Sequence, residues 1–307
     1  MPTLPDPQVS APQRLASIGI AVSIVVVGLK GLAYWHTGSL ALYSDALEGI
    51  VNVITAIAAA IAVHMATRPA DRHHQYGHHK AEYFAAVLEG VLILLAAFEI
   101  MREVVSSFGS TRALVQPSTG LLLNGVATAI NAAWGGFLIN RGRTLRSPAL
   151  IADGWHLWTD VVTSLGVLTG LILAQVTGWH SLDAILAGCV ALYIVWSGSR
   201  IIRSSMSSLM DEAVTAEIQR RIQLVITENG AGAIEAHDIR TRIAGRVSFI
   251  EFHLVVPGDM SVARSHQICD RLESALAEAV PGARVTIHVE PHVKAKGDIT
   301  PADAVII

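Results

Sequence analysis

Charged residues are scarce in this sequence: Asp, Glu, Lys and Arg make up 15% of its 307 residues, where a soluble domain has about 25%. The shortage lies before Asp211, and ordinary polarity returns after it. Cysteines number only two, Cys189 and Cys269, which excludes a disulfide framework and a thiolate zinc motif. No basic stripe that could follow phosphates is present, which excludes nucleic-acid binding. The composition predicts a membrane domain followed by a soluble one.

Six apolar segments are long enough to cross a bilayer, which takes about 20 helical residues. They cover residues 15–36, 41–66, 82–107, 118–139, 148–177 and 182–202. The loops on one side carry most of the Lys and Arg residues, so the positive-inside tendency predicts that both termini are cytoplasmic. The start lacks the pattern of a cleaved signal peptide, and we expect the first span to remain. The predicted domains are a cytoplasmic tail (1–14) and an all-α six-helix bundle (15–208).

The remainder has the pattern of a cytoplasmic α+β domain (209–292) and a flexible tail (293–307). We predict a helix, two strands, a helix and a strand, the order αββαβ, near residues 213–229, 234–243, 246–256, 261–279 and 283–290. About 80 residues give a small open sheet backed by two helices, and so small a core often gains from dimerisation.

The second and fifth predicted helices carry polar residues at matching positions. Glu48 and Asn52 are four residues apart, as are His156 and Asp160, so each pair lies on one helix face. Ionisable groups inside a membrane are costly unless paired or ligated. Two carboxylates, an imidazole and an amide would neutralise a divalent ion, and the imidazole favours zinc, cobalt, nickel or iron over magnesium or calcium. We expect a four-ligand metal site, with zinc first; the alternative is interhelical hydrogen bonding.

Two further acids precede these motifs. Asp45 and Asp153 each stand three residues before the first ligand of a pair, near the same face. Outer-shell metal partners, proton-pathway residues and helix caps all remain open for them.

These motifs, with residues 69–82 after the second helix and Leu209-Met210-Asp211 after the sixth, closely resemble the cation diffusion facilitator family of metal and proton antiporters. The resemblance covers nearly the whole chain. It implies a homodimer in the bacterial inner membrane that exports a divalent metal from the cytoplasm against an inward flow of protons. It also implies that the metal ligands of transport are Glu48, Asn52, His156 and Asp160.

The sequence departs from the usual second-helix pair of this family, which is His or Asp followed by Asp. Cobalt, iron, nickel and manganese therefore remain alternatives to zinc. Because the amide of Asn52 cannot be protonated, proton coupling is expected to depend mainly on His156, and an unperturbed imidazole has a pKa of about 6.5.

The resemblance implies further sites outside the bundle core. Asp71, His74 and His78 would hold a second metal ion in the loop after the second helix; a solvated polar loop is the alternative. Lys80 and Asp211 would form a salt bridge at the dimer seam.

Three histidines fall on the three predicted strands of the soluble domain. They are His237, His253 and His288, and Glu290 shares a face with His288. The resemblance implies a ferredoxin-like, metallochaperone-like fold with a regulatory metal cluster here, and His266 as a possible further ligand. The alternative is surface histidines on a half-exposed sheet.

Two other functions fit parts of the sequence. In a membrane metalloenzyme, His156 and Asp160 would hold a catalytic ion, but no general base is evident beyond Asp45 and Asp153. A membrane-anchored metal sensor would not require two matched motifs inside the membrane. We therefore predict a secondary-active transporter rather than an enzyme.

Overall fold

The computed structural model describes residues 7–37, 40–107, 118–177, 181–296 and 305–306. The chain divides into two compact units, Met1–Met206 and Ser207–Ile307. The first unit is helical and the second combines helices with a sheet.

Six long helices account for the first unit, and each contains one predicted span. They are α1 (Pro7–Thr37), α2 (Leu40–Ala66), α3 (Ala81–Ser107), α4 (Ser118–Leu145), α5 (Pro148–Thr177) and α6 (Ser181–Leu209). The first, fourth and sixth helices extend beyond the predicted spans, because Gln, Arg and Ser near the ends still accept helical geometry. Hydropathy marks only the part of a helix that meets lipid.

Four helices have described stretches that are long and apolar enough to cross a membrane. The stretches are Ala11–Trp35, Gly49–Ala66, Ala81–Arg102 and Leu122–Leu145. Many side chains of the later part of α5 and the first part of α6 lie outside the described residues.

Glycines bring α5 close to its neighbour α4. A Cβ atom at Gly154 would lie 2.8 Å from the carbonyl oxygen of Gly135, so these backbones approach too closely for a larger residue. Small residues at helix crossings are typical of membrane bundles. The close approach fixes the stretch of α5 that carries the polar motif.

The second unit has the predicted order αββαβ and one additional strand. Its elements are α7 (Ala216–Asn229), β1 (Glu235–Ala244), β2 (Val247–Val256), α8 (Val262–Ala279), β3 (Ala283–Pro291) and β4 (Val305–Ile306). The strand order is β3-β2-β1-β4; β2 and β3 are parallel, and the other pairs are antiparallel. The added strand falls in the segment predicted as a flexible tail, because two residues are too few to show an alternating pattern.

Alternation along the strands separates the core from the histidines. Phe252 and Leu254 of β2 pack with Ile226 of α7 and Leu272 of α8 in the core. Successive side chains of a strand point to opposite faces, so His253 lies on the face away from these helices.

Candidate metal centres

A buried polar cluster joins α2 to α5. Asn52, His156 and Asp160 are each less than 5% exposed. The Asn52 amide Nδ2 donates to Asp160 Oδ2 at 2.5 Å, and its Oδ1 lies 2.9 Å from His156 Nε2. The structure thus brings together three of the four predicted transport ligands. The side chains of Glu48 and Asp45 lie outside the described residues.

The direction of these hydrogen bonds determines what a metal ion must displace. An amide oxygen can only accept, so His156 donates from Nε2–H to Asn52 Oδ1. A metal ion binds the lone pair of an imidazole nitrogen, and ligands must be deprotonated to bind. Coordination of a metal ion by His156 Nε2 and Asp160 Oδ2 would therefore break both contacts with Asn52 and move the Nε2 proton elsewhere.

Histidines from three neighbouring strands form a row across the face of the sheet that points away from the two helices. His237 pairs with His253 and His253 with His288 in the strand register. One carboxylate serves all three: Glu290 Oε2 is 3.4 Å from His237 Nε2, and Glu290 Oε1 is 3.5 Å from His253 Nδ1 and 3.7 Å from His288 Nε2. Imidazole and carboxylate groups this close suit a transition-metal ion.

The loop after α2 gathers a third set of ligand atoms. His74 Nδ1 and His78 Nε2 lie 3.5 and 3.4 Å from different oxygens of Asp71. The backbone N–H groups of His74 and His73 donate to Asp71 Oδ1 and lower the pKa of this carboxyl. The Asp71 carboxylate therefore stays negatively charged at neutral pH, as a cation ligand must. His73 contacts Asp71 through its backbone N–H.

Comparison with known families assigns both units. The cation efflux transmembrane domain matches residues 16–210, and the cation efflux protein cytoplasmic domain matches residues 214–292. The chain belongs to the cation diffusion facilitator family. It is a cation efflux transporter of the membrane, and the predicted fold class is confirmed.

Similar proteins extend over nearly the full length of this transporter. An uncharacterized transporter, sll1263, from Synechocystis sp. is 42% identical over 92% of this chain and 91% of its own. The cation-efflux pump FieF of Escherichia fergusonii is 29% identical over 91% of this chain and 92% of its own.

Two solved structures match parts of the transporter. The zinc form of a putative zinc transporter, CzrB, is 50% identical, with a TM-score of 0.27, and covers 28% of this chain and 98% of its own. The metal-bound C-terminal domain of a CzcD transporter from Thermotoga maritima is 28% identical, with a TM-score of 0.24, over 26% of this chain and 92% of its own.

The family assignment decides between the functional alternatives. Members of the cation efflux family are transporters rather than enzymes, so the membrane metalloenzyme is excluded. A sensor whose membrane part is only an anchor is excluded on the same ground.

Sequence reasoning missed two acids beside the cytoplasmic histidines. Glu235 Oε1 lies 2.7 Å from His237 Nδ1, and both side chains are buried. Asp238, at φ 52°, occupies an irregularity of β1 where the pairing with β2 shifts register. Its carboxylate is 3.9 Å from His253 Nδ1. The i, i+2 spacing of Glu235 and His237 on the predicted strand could have placed Glu235 on the face of His237. Asp238 had no signal in the sequence, because a bulge cannot be seen in an alternating pattern.

Lys296 connects the segment after β3 to both of these acids. Its backbone N–H donates to Glu235 Oε1 at 3.2 Å, and its Nζ lies 2.6 Å from Asp238 Oδ1. The hydrogen bond from Lys296 is the main reason that the pKa of Asp238 is lowered. An ammonium group thus stands beside the row of histidines.

Other predicted residues are placed differently. His266 lies on α8, exposed, with Nε2 3.6 Å from Asp270 Oδ1, and does not join the histidine row. Asp211 lies 3.4 Å from Arg242 within the second unit, while Lys80 belongs to the first, so their salt bridge stays a prediction. Asp153 is buried on α5, three residues before His156.

Proposed function

We propose that this transporter exports a divalent transition-metal ion, with zinc as its principal cargo, in exchange for protons. It works as a homodimer in the bacterial inner membrane with both termini in the cytoplasm. The observation that carries the proposal is the hydrogen-bonded cluster of Asn52, His156 and Asp160 between α2 and α5. These donors come from two helices, so relative movement of α2 and α5 would make and break the site.

The hydrogen bonds of the cluster support a proton exchange at His156. In the hydrogen-bonded arrangement, His156 carries a proton on the nitrogen that faces Asn52. A metal ion at Nε2 would take the place of that proton. A net proton would leave only when Nδ1 is protonated as well, since a neutral imidazole can move its proton from Nε2 to Nδ1; release of the metal on the other side would then let the proton return. Glu48, as the fourth ligand, brings the number of carboxylates in the site to two.

The two other centres have supporting roles in this proposal. The loop with Asp71, His74 and His78 holds metal at the membrane surface before or during entry. Metal bound by His237, His253, His288 and Glu290 tightens the dimer of cytoplasmic domains and biases the transport cycle. Their support is the convergence of ligand atoms within 4.8 Å in the loop and among His237, His253 and Glu290.

Reconstitution in vesicles tests the transport proposal. Uptake of zinc, cobalt, nickel, iron and manganese is measured under an imposed proton gradient, for wild type and Asp160→Asn. We expect gradient-driven uptake, highest for zinc, that Asp160→Asn abolishes because it removes a ligand charge. Glu99→Gln is the matched control, since Glu99 is an exposed carboxylate on α3 paired with Arg102 at 2.9 Å.

Three results would contradict parts of this proposal. Uptake that ignores the proton gradient would refute antiport. Uptake that survives in Asp160→Asn would refute the assigned site. Selective transport of another metal would refute zinc as the cargo while leaving the site in place.

A further inference from the structure

Two acidic residues on α3 face α5 and have different surroundings. Glu82 is buried and accepts a hydrogen bond from Ser147, which joins the start of α3 to the start of α5. Glu89 stands seven residues later, about 10.5 Å along the helix. Asp153 stands six residues after Ser147, about 9 Å along α5. The two helices pack against each other from the Glu82–Ser147 contact, so this count places Glu89 level with Asp153.

The electrostatic surroundings of Glu89 agree with this register. Burial disfavours a charge on Glu89, and after it so do the carboxylates of Asp153 and Asp160, one turn before and one turn after His156. Glu89 is therefore near the transport cluster, although it lies on a third helix. Like charges so placed repel one another: without a cation, a proton on one of them relieves the repulsion, whereas a divalent ion among them lets all three stay charged.

Glu89 also lacks the hydrogen bonding that a structural carboxylate has. It is 1% exposed, and its Oε2 atom is buried with no hydrogen-bond partner among the residues that the structure describes. Buried polar groups in proteins almost always have such a partner, as Glu82 has on the same helix. An intramembrane carboxylate without one is by default a functional group.

The transport cluster has a corresponding deficit of charge at Asn52. Both ends of this amide are engaged, one with Asp160 and the other with His156, and neither can become negative. Asn52 therefore orders the ligands without helping to neutralise a divalent ion.

We propose that Glu89 supplies, from α3, the negative charge that Asn52 cannot provide to the metal ion in the transport site. It acts through the field that it shares with Asp153 and Asp160, and it sets the affinity of the site for divalent cations. The inference rests on the proposed transport site and adds a third helix to it. It also gives a function to the two buried carboxylates near the cluster, Glu89 and Asp153.

Zinc uptake into vesicles measures the effect of this charge. We expect Glu89→Gln to raise the KM for zinc about tenfold, the size of effect seen when an outer-shell partner of a metal ligand is lost. Glu89→Asp, which keeps the charge, should stay close to wild type. Glu99→Gln, the exposed carboxylate of the same helix, should not change the KM.

A second substitution separates charge from packing. Asn52→Asp places a carboxylate directly in the cluster, so it should reverse most of the KM increase when combined with Glu89→Gln. A double-mutant cycle with Asn52→Asp alone gives the coupling between the two positions. If Glu89 had only a structural role, Asn52→Asp on α2 would not lower the KM of the Glu89→Gln variant.

Each other outcome overturns the inference. The inference is wrong if Glu89→Gln leaves the KM for zinc unchanged, as Glu99→Gln does. It is also wrong if Glu89→Asp raises the KM as much as Glu89→Gln, or if adding Asn52→Asp to Glu89→Gln does not lower the KM again. Asp160→Asn distinguishes the two levels of argument. If Asp160→Asn transports normally, the proposed site itself is wrong; if it is inactive and Glu89→Gln is silent, only the role of Glu89 is wrong.

Discussion

The buried hydrogen bond between Glu235 and His237 leads to a quantitative prediction for the cytoplasmic metal cluster. Glu235 Oε1 is 2.7 Å from His237 Nδ1, which leaves Nε2 directed toward Glu290. A carboxylate on the second nitrogen fixes the tautomer of a metal-binding histidine and raises its basicity. Glu235→Gln keeps a neutral acceptor for the N–H groups of His237 and Lys296 but removes the charge.

We expect Glu235→Gln to weaken zinc binding at this cluster by about 10- to 100-fold. That factor corresponds to roughly 1.4 to 2.7 kcal/mol of binding free energy. Both side chains are buried, so solvent does not screen the interaction. At a zinc concentration of 100 times the wild-type Kd, zinc stabilises the fold by about 2.7 kcal/mol, and a tenfold loss of affinity would reduce this to about 1.4 kcal/mol.

The measurement uses the full chain in detergent, with Asp71→Ala and Asp160→Ala present so that the loop and transport sites no longer contribute. Zinc affinity is obtained by competition with a chelator, and thermal unfolding with and without zinc gives the stabilisation. Glu228→Gln, an exposed acid on α7, is the control. A folded Glu235→Gln protein with unchanged zinc affinity would refute the orienting role of Glu235.

Three further predictions concern other parts of the chain. Lys296→Ala should raise the zinc affinity of the cytoplasmic cluster by up to about fivefold, because it removes the ammonium group paired with Asp238 and a half-exposed ion pair is worth at most about 1 kcal/mol. Chelator competition checks this, with Lys294→Ala as the control. An unchanged affinity would mean that the Lys296 ammonium does not compete with zinc for Asp238. The pKa of Asp71 lies below the ordinary value of 3.8, so the carboxylate stays charged at both pH 7 and pH 5.5. Asp71→Asn should therefore weaken metal binding by the loop by the same factor at these two pH values. Binding titrations in which this factor shrinks toward pH 5.5 would contradict the prediction. Gly282→Ala should destabilise the second unit by about 1–3 kcal/mol, because Gly282 has φ 77° and a Cβ atom there would collide with the Arg246 carbonyl oxygen. Circular dichroism during heating checks this, and an unchanged melting temperature would contradict it.

Much of this transporter could be predicted from the sequence because periodic patterns are local. Runs of apolar residues located the six helices, and i, i+4 spacing placed His156 and Asp160 on one face of α5. Alternation in the strands placed His253 and His288 on the face opposite the core. These inferences need only the geometry of a single helix or strand.

Contacts between elements required the tertiary structure. The sequence has no signal that Asn52 bridges His156 and Asp160, or that Glu82 accepts a hydrogen bond from Ser147. The register between strands or helices depends on packing of side chains far apart in the chain, such as the close approach of Gly135 to Gly154.

The sequence by itself determined which residues of this chain carry side chains of metal-ligand type and which helix, strand or loop each occupies, because residue type and local periodicity suffice for both. Only the tertiary structure decided which of those residues meet. It also showed that Asp238 leaves the regular strand in a bulge and that Lys296 stands next to it. The physical reason is that burial and long-range hydrogen bonds arise from the packed chain as a whole, whereas a sequence pattern reports only on neighbours along the backbone.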